Sequence, residues 1–281
     1  MNAGFLVLDK PEGITSHDLV ARARRILGTR KIGHAGTLDP MASGVMVLGI
    51  ESATRLLDYI MQGKKRYLAT IKLGVLTSTD DREGEVIETS PVDSDSIERA
   101  TTALKSMTGV IDQVPSSVSA IKVNGKRAYQ RVRDGEKIEL KARKVEIYTI
   151  DILNVRSNEI DVDITCSAGT YIRSIARDVG GHLISLRRIE ASPFTIEDSG
   201  DIEPSALIPA ATAIAKVLPI RKLSENEVSA LSFGKHISTS GSAESSIAAI
   251  SPRGDLVAVI KDDGDVATPK AVFATREGAD R

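Results

Sequence analysis

The chain has 281 residues, enough for one large domain or two with a real hydrophobic core. Hydrophobic residues make up 41% and charged residues 27%, the balance of a soluble globular protein. No signal-like segment or apolar run of membrane length occurs, so a cytoplasmic location is expected. The single cysteine, Cys166, excludes an internal disulfide framework and Cys-rich zinc ribbons; in the alternating run "IDVDITCS" it reads as a buried structural thiol.

The net charge of −1 conceals a segregation. Residues 1–72 carry 11 Lys/Arg against 6 Asp/Glu, and residues 111–145 carry 9 against 4. Residues 80–98 carry 1 base and 8 acids. Two basic stretches suit a polyanion-binding face, although solvated charge that happens to cluster would look the same.

In chain order, "GFLVLDK" is a strand running into a turn at Lys10-Pro11-Glu12-Gly13. "TSHDLVARARRILG" reads as a helix. Thr15 and Asp18 form its capping box, Leu19, Val20, Ala23, Ile26 and Leu27 its apolar face, and Gly28 its stop. The opposite face and the residues just past the helix are basic: Arg22, Arg24, Arg25, Arg30, Lys31. The loop "GHAGTLDPMASG" then leads into a buried strand, "GVMVLGI". "SATRLLDYIMQG" is a second helix, "KRYLATIKLG" an alternating strand, "LTSTDDREGE" a polar turn and "EVIET" a strand. "SDSIERATTALKSMTG" is a helix burying Ile97, Ala100, Leu104 and Met107. Residues 113–142 are basic and loop-rich, with a short helix expected at 126–133. Two long strands, "KVEIYTIDILNV" and "EIDVDITCS", precede the helix "GTYIRSIARDVG" and the strand "LISLRRIEASPF". The elements do not alternate as βαβ units, so the expected class is α+β with a central mixed, largely antiparallel sheet flanked by helices and loops. After about residue 222 the texture changes to one short helix and several short strands with Gly-containing turns, a small β-rich second domain over 223–281.

Asp39 is the one acid in "GHAGTLDPMASG" (residues 33–44), directly before Pro40. An aspartate there commonly bonds its own backbone in a turn. A histidine such as His34 is more often structural than catalytic. Among His17, His34, His182 and His236 there is no metal-ligand spacing, so no metal is expected. No Gly-rich phosphate loop, nucleophile elbow or zinc-protease signature occurs, so no cofactor is expected.

Five blocks in this order, "DKPEGITSHD", "GHAGTLDPMASGV", "KRYLATIKLG", "VPSSVSAIKVNGKRAY" and "GTYIRSIARDVG", resemble the motifs of the TruB-type tRNA pseudouridine-55 synthases. The resemblance covers roughly residues 4–195 and implies a pseudouridine-synthase-like catalytic domain over 1–222, with a PUA-like domain at 223–281. Residues of about 113–142 correspond to a basic thumb-like insertion that closes on the T arm of tRNA. By the same resemblance Asp39 matches the catalytic aspartate, and Arg173 the arginine paired with it. Tyr67 matches the tyrosine that stacks on the target base and is a candidate proton acceptor. His34 matches a histidine contacting RNA beside the extruded base, and Tyr171 a substrate-contacting tyrosine. Leu186 matches an apolar residue of the uracil pocket, and Lys10, with Pro11, the Lys-Pro motif near the site, which makes Lys10 a candidate substrate contact. Two departures stand out. Thr77-Ser78-Thr79 replaces the family's Thr-Asp-Thr, removing an acid at that spot, though Asp80 and Asp81 are next in the chain; and the chain is shorter between Gly180 and "HLISLRR".

The reaction implied is an N-glycoside to C-glycoside isomerisation, which needs no redox partner or energy donor. One ionised carboxylate and a group to help move the C5 proton are its minimum equipment. The base must be flipped out at a cost of a few kcal/mol. Aromatic residues are only 3% of the chain, so one placed tyrosine rather than a stacking platform is expected to receive it. The expected partner is tRNA, without a membrane or obligate protein partner, bound by a monomer. A non-catalytic RNA-binding protein would not need Asp39, Tyr67 and Arg173 together. A glycosidase would need a second, suitably placed carboxylate, which no motif supplies.

Overall fold

The computed structural model describes residues 3–116, 122–123, 126–127 and 140–274. The first part contains β1 (Gly4–Lys10), α1 (Ser16–Leu27), β2 (Ile32–His34), β3 (Ser43–Ile50), a 3-10 segment at Glu51–Leu56 that continues as α2 (Leu57–Met61), β4 (Lys65–Leu73), β5 (Val75–Thr77), β6 (Val86–Thr89), α3 (Ser94–Ser106) and β7 (Gly109–Gln113). A two-residue pair, β8 (Lys122–Val123) and β9 (Lys126–Arg127), is followed by β10 (Arg143–Arg156), β11 (Glu159–Cys166), α4 (Ile172–Asp178), β12 (Gly181–Ala191) and β13 (Phe194–Thr195). The last part holds β14 (Ile208–Pro209), α5 (Ala210–Ile214), β15 (Ile220–Lys222), α6 (Glu225–Ser232), β16 (Ile237–Ser238), β17 (Ile247–Ile250), β18 (Leu256–Asp263) and β19 (Val266–Val272).

The large sheet runs β14-β1-β3-β12-β4-β11-β10-β7, with β2 on β3 and β13 on β12. Its described neighbours are antiparallel except β3 and β12, which meet in parallel at Arg187↔Ser43 and Arg188↔Gly44. This is the mixed, largely antiparallel α+β architecture expected from the sequence. β1 and β3 read as unbroken apolar runs because both faces are covered. Leu6, Leu8, Met46 and Leu48 join α1, α3 and α4 in one core; Phe5, Val7, Val45 and Val47 join α2 and α5 in another. α1 carries the expected Thr15–Asp18 capping box and ends at Gly28 in the left-handed region. Its buried stripe is Leu19, Val20, Ala23 and Leu27, whereas Ile26, at the margin of that stripe on a 100°-per-residue wheel, is 50% exposed.

Residues 220–272 form a second, five-stranded sheet, β15-β17-β18-β19-β16, with its own core. Ile220–Lys222 belong to this sheet through β17, three residues before the boundary read from the sequence. Ala248, Leu256 and Val259 also enter the core beneath β1 and β3. Two further details differ from the sequence reading. Gly33 and His34, read as loop, pair with Gly49 and Leu48 because β3 leaves an edge there. Lys126–Arg127, read as a helix start, pair with Lys122–Val123; the rest of the expected 126–133 helix, and most of the basic 113–142 insertion, lie outside the described residues.

Candidate active site

Asp39 lies in the connection between β2 and β3, and hydrogen bonds to backbone atoms pin that loop. The Ser16 hydroxyl, at the start of α1, donates to Leu38 O and accepts from Leu38 N, both at 2.9 Å. Gly13 N donates to Pro40 O at 2.8 Å, and Ala35 N to Val47 O at 2.9 Å. Pro40 restricts Asp39 towards an extended backbone. The loop's exit needs a glycine. Gly44 has φ +105, and a Cβ there would sit 2.1 Å from the carbonyl oxygen of Arg188.

Arg173 reaches the loop from α4. Its helix start is held by Gln113 of β7, whose side chain accepts from Tyr171 N at 2.8 Å and donates to Tyr171 O at 3.0 Å. Arg143 stacks on the Tyr171 ring at 4.5 Å and donates to Gly169 O. Arg173 therefore enters the site from a fixed helical turn. Its Nε lies 2.9 Å from Asp39 Oδ2 and its Nη2 3.3 Å from Oδ1, a two-pronged pair. Nη1 donates to Thr79 O at 2.8 Å and Ser116 Oγ at 3.3 Å, and lies 3.5 Å from Asp81 Oδ2. The guanidinium is nearly buried, with 5% of its side chain exposed, against 32% for Asp39. The aspartate thus presents itself to the cavity while its partner stays behind it.

That cavity, about 310 Å³, is lined by Asp39, Tyr67, Tyr171, Arg173 and Leu186, and also by Lys65, Arg143 and Arg188. Burial raises the Asp39 carboxyl above its ordinary range; Arg173 opposes this and Asp81 reinforces it. Burial likewise raises the Tyr67 phenol, opposed by the charge and hydrogen bond of Arg188. Arg188 is fully buried, donating from Nε to Val45 O at 2.8 Å and from Nη2 to Gly36 O at 3.1 Å. It thereby ties both ends of the Asp39 loop to the strand facing Tyr67.

Five of the seven site residues read from the sequence line this one cavity. His34 and Lys10 do not. His34 sits on β2 beside His17, ring centroids 5.7 Å apart. Lys10, expected to contact substrate, is fully buried and donates to Pro11 O (2.9 Å), Ile14 O (2.8 Å) and Pro40 O (3.4 Å), so it braces the loop from beneath. Burial lowers its pKa, with Asp39 opposing. The acid thought lost at Thr77-Ser78-Thr79 has a counterpart in Asp81, which the turn after β5 carries to Arg173. Arg188, Lys65 and Gln113 also went unread. "SLRR" and "KKRY" displayed the two cations, but nothing local distinguishes a buried cation from a solvated one.

A mixed sheet that positions a bidentate Arg–Asp pair beside a buried tyrosine suits an enzyme of the pseudouridine synthase class, and the comparisons show that class and its branch. Residues 24–172 match the model of the TruB family pseudouridylate synthase N-terminal domain, and residues 218–274 that of the tRNA pseudouridine synthase II C-terminal domain. The chain is 46% identical over 298 residues to a tRNA pseudouridine synthase B of Paenarthrobacter aurescens (strain TC1), covering 98% of this chain and 96% of the relative. It is 44% identical over 292 residues to one from Thermobifida fusca (strain YX), covering 98% and 99%. A chain in the crystal structure of a Cbf5-Nop10-Gar1 complex shares the fold at a TM-score of 0.75 and 24% identity, covering 99% of this chain and 87% of that one. The chain belongs to the TruB family of pseudouridylate synthases and is an isomerase. Among the described residues, no helix is long and apolar enough to cross a membrane.

Proposed function

We propose that the chain converts uridine 55 in the T loop of tRNAs to pseudouridine, with Asp39 as the catalytic carboxylate. The relatives named as tRNA pseudouridine synthases support the substrate class. The observation that carries the site is the Asp39–Arg173 pair at 2.9 Å, set in a cavity that also takes in Tyr67.

The flipped uridine stacks on Tyr67, with Leu186 against the ring. The N1–C1′ bond breaks, the uracil turns, C5 bonds to C1′, and the C5 proton leaves. Addition of Asp39 to C1′, addition to C6, and assistance in forming a glycal all require an ionised carboxylate here. Burial works against that ionisation, and the Arg173 guanidinium offsets it while fixing both oxygens. The Tyr67 hydroxyl, beside Arg188 and kept protonated by burial, is the proposed relay for the C5 proton: it accepts that proton as it gives up its own, and N1 acquires one. Lys10 and Ser16 position the loop without touching substrate.

The test is Asp39→Asn, because asparagine preserves a turn and removes both nucleophile and charge. The variant should fold, bind tRNA with near-parent affinity and form no detectable pseudouridine in a single turnover, with the parent's product mapped to position 55. Substantial activity in a correctly folded variant would reduce Asp39 to a turn residue.

A further inference from the structure

Lys65 and Tyr67 project from the same face of β4, two residues apart, and both line the cavity that holds Asp39. Lys65 is 6% exposed. Its ammonium donates to Met61 O at 3.2 Å and Gly63 O at 2.7 Å, at the end of α2. An ammonium has three N–H groups, so one remains without a protein acceptor among the described residues. Lys10 makes the contrast: all three of its N–H groups are spent on carbonyls, and it lies outside the cavity.

No carboxylate pairs with Lys65 among the described residues. The charged and titrating groups that face it are Arg188 and Glu190 on β12 and Cys166 on β11. Arg188 is a second buried cation with no carboxylate within ion-pair distance among the described residues. Burial pushes the Cys166 thiol up to about 11, so it supplies no charge near neutrality. Burying a cation without a counter-ion is costly. Two carbonyls at a helix end could be served by a neutral donor, so the fold alone does not call for the charge. An enzyme recovers such a cost when the opposite charge develops in the transition state.

We propose that Lys65 is a catalytic residue that holds the negative charge of the uracil ring, its free N–H donating to a ring carbonyl oxygen. The inference rests on the proposed conversion of uridine 55 in tRNA with Asp39 as the catalytic carboxylate. When N1–C1′ breaks, the bonding pair stays on N1 and spreads onto O2 and O4. C1′ is left electron-poor and is met by the Asp39 carboxylate, which leaves again as C5 bonds to C1′, or is relieved by loss of the C2′ proton to Asp39, giving a glycal to which that proton returns as C5 bonds to C1′. If Asp39 adds to C6 first, the same oxygens take the charge. The pair is used again when C5 bonds to C1′; C5 then gives up its proton and N1 acquires one. Lys65 transfers no proton, and the sum is an isomerisation.

Burial and Arg188 bring the Lys65 ammonium down to about 8. Asp39 is raised from the carboxylate range and so governs the acid side of a pH profile, while Tyr67 is raised above the ordinary phenol value. The experiment measures single-turnover pseudouridine formation at saturating tRNA against pH, with tRNA affinity at several salt concentrations, for the parent, Lys65→Met and Lys65→Arg. The parent's rate should fall as pH rises through about 8. Lys65→Met should lose about 100-fold at neutral pH, the scale of one lost oxyanion donor, together with that basic limb, while affinity stays near the parent's. Lys65→Arg should keep most of the neutral rate and move the limb upward. The uracil's own ionisation affects all three proteins alike. A parent-like rate in Lys65→Met, or the same basic limb in the parent and Lys65→Arg, overturns the proposal; the latter decides even if the methionine variant does not fold. Weaker affinity and a shallower salt slope with an unchanged rate also overturn it, and assign Lys65 to a phosphate. A parent that forms no pseudouridine in the tRNA refutes the proposed uridine-55 reaction instead; pseudouridine formed equally by all three refutes the role of Lys65.

Discussion

Replacing Arg173 by methionine separates its structural task from its electrostatic one. The guanidinium contacts Asp39 through Nε and Nη2, and Thr79 O, Ser116 Oγ and Asp81 through Nη1. Hydrogen bonds to charged groups contribute about 1.5–3 kcal/mol each, and stripping one partner from a buried pair costs about 3–5 kcal/mol. Asp39 recovers part of its solvation at the cavity, so the loss should fall near the lower figure, roughly 3 kcal/mol in urea unfolding at neutral pH. The pH dependence has a definite sign. A carboxyl whose pKa is raised on folding destabilises the folded state when ionised. That penalty is absent below the unfolded value of 3.8 and complete above the folded one. Arg173 is the largest influence holding the folded value down, so its loss deepens the penalty. The variant's stability deficit should therefore shrink on acidification towards 3.8 and widen towards neutrality. In single-turnover assays the rise of rate with pH should move to higher pH. Arg173→Lys restores charge without the two-pronged geometry, and misplacing the carboxylate should cost about 100-fold in rate. Methionine at 173 with the parent's stability at every pH and the parent's rate profile would refute the reasoning.

Tyr67→Phe keeps the stack and loses the hydroxyl, so tRNA affinity should survive while turnover drops sharply; equal turnover would remove the phenol from the mechanism. Gly44→Ala must place a Cβ against the Arg188 carbonyl at φ +105, where backbone atoms cannot yield. It should cost at least about 2 kcal/mol and slow the reaction by opening the β3–β12 join, and an unchanged melting temperature would contradict this. Deleting everything from Ile220 removes the whole small sheet. The shortened chain should be less stable, because Ala248, Leu256 and Val259 leave a shared core, and should bind tRNA more weakly at an undiminished saturating rate. Loss of that rate in a folded chain would place part of the chemistry in the small domain.

Periodicity made most of the fold readable. β1, β3, β4, α1 and α3 each carry a local pattern that their packing satisfies, and the Thr15–Asp18 box and Gly28 mark α1 by backbone chemistry alone. What escaped was non-local. β2 exists because β3 offers an edge, and Ile220–Lys222 join the small sheet because β17 lies alongside. Site residues divide the same way. Asp39, Tyr67 and Arg173 stand in motifs dense enough to be matched. Asp81 looked like one more acid in a polar turn, and Lys10 like a substrate contact, until the chain's path carried one to Arg173 and the other beneath Pro40.

That non-local logic also accounts for the solitary carboxylate of "GHAGTLDPMASG". A second charge in the loop would give Asp39 a local partner that moves with it. Its actual ion-pair partner lies 134 residues away, on a helix fixed by Gln113, so its orientation is set by the whole sheet. The loop is held by a hydroxyl, backbone amides, the wholly committed Lys10 and Arg188, all bonded to backbone atoms and none to the carboxylate. Elsewhere in the cavity lining the balance is reversed. Lys65 and Arg188 are buried cations without a carboxylate among the described residues. The lining thus combines a negative charge already matched by Arg173 with positive charge still to be matched. That polarity suits a ligand that turns electron-poor at a sugar carbon and electron-rich around a base in the same step.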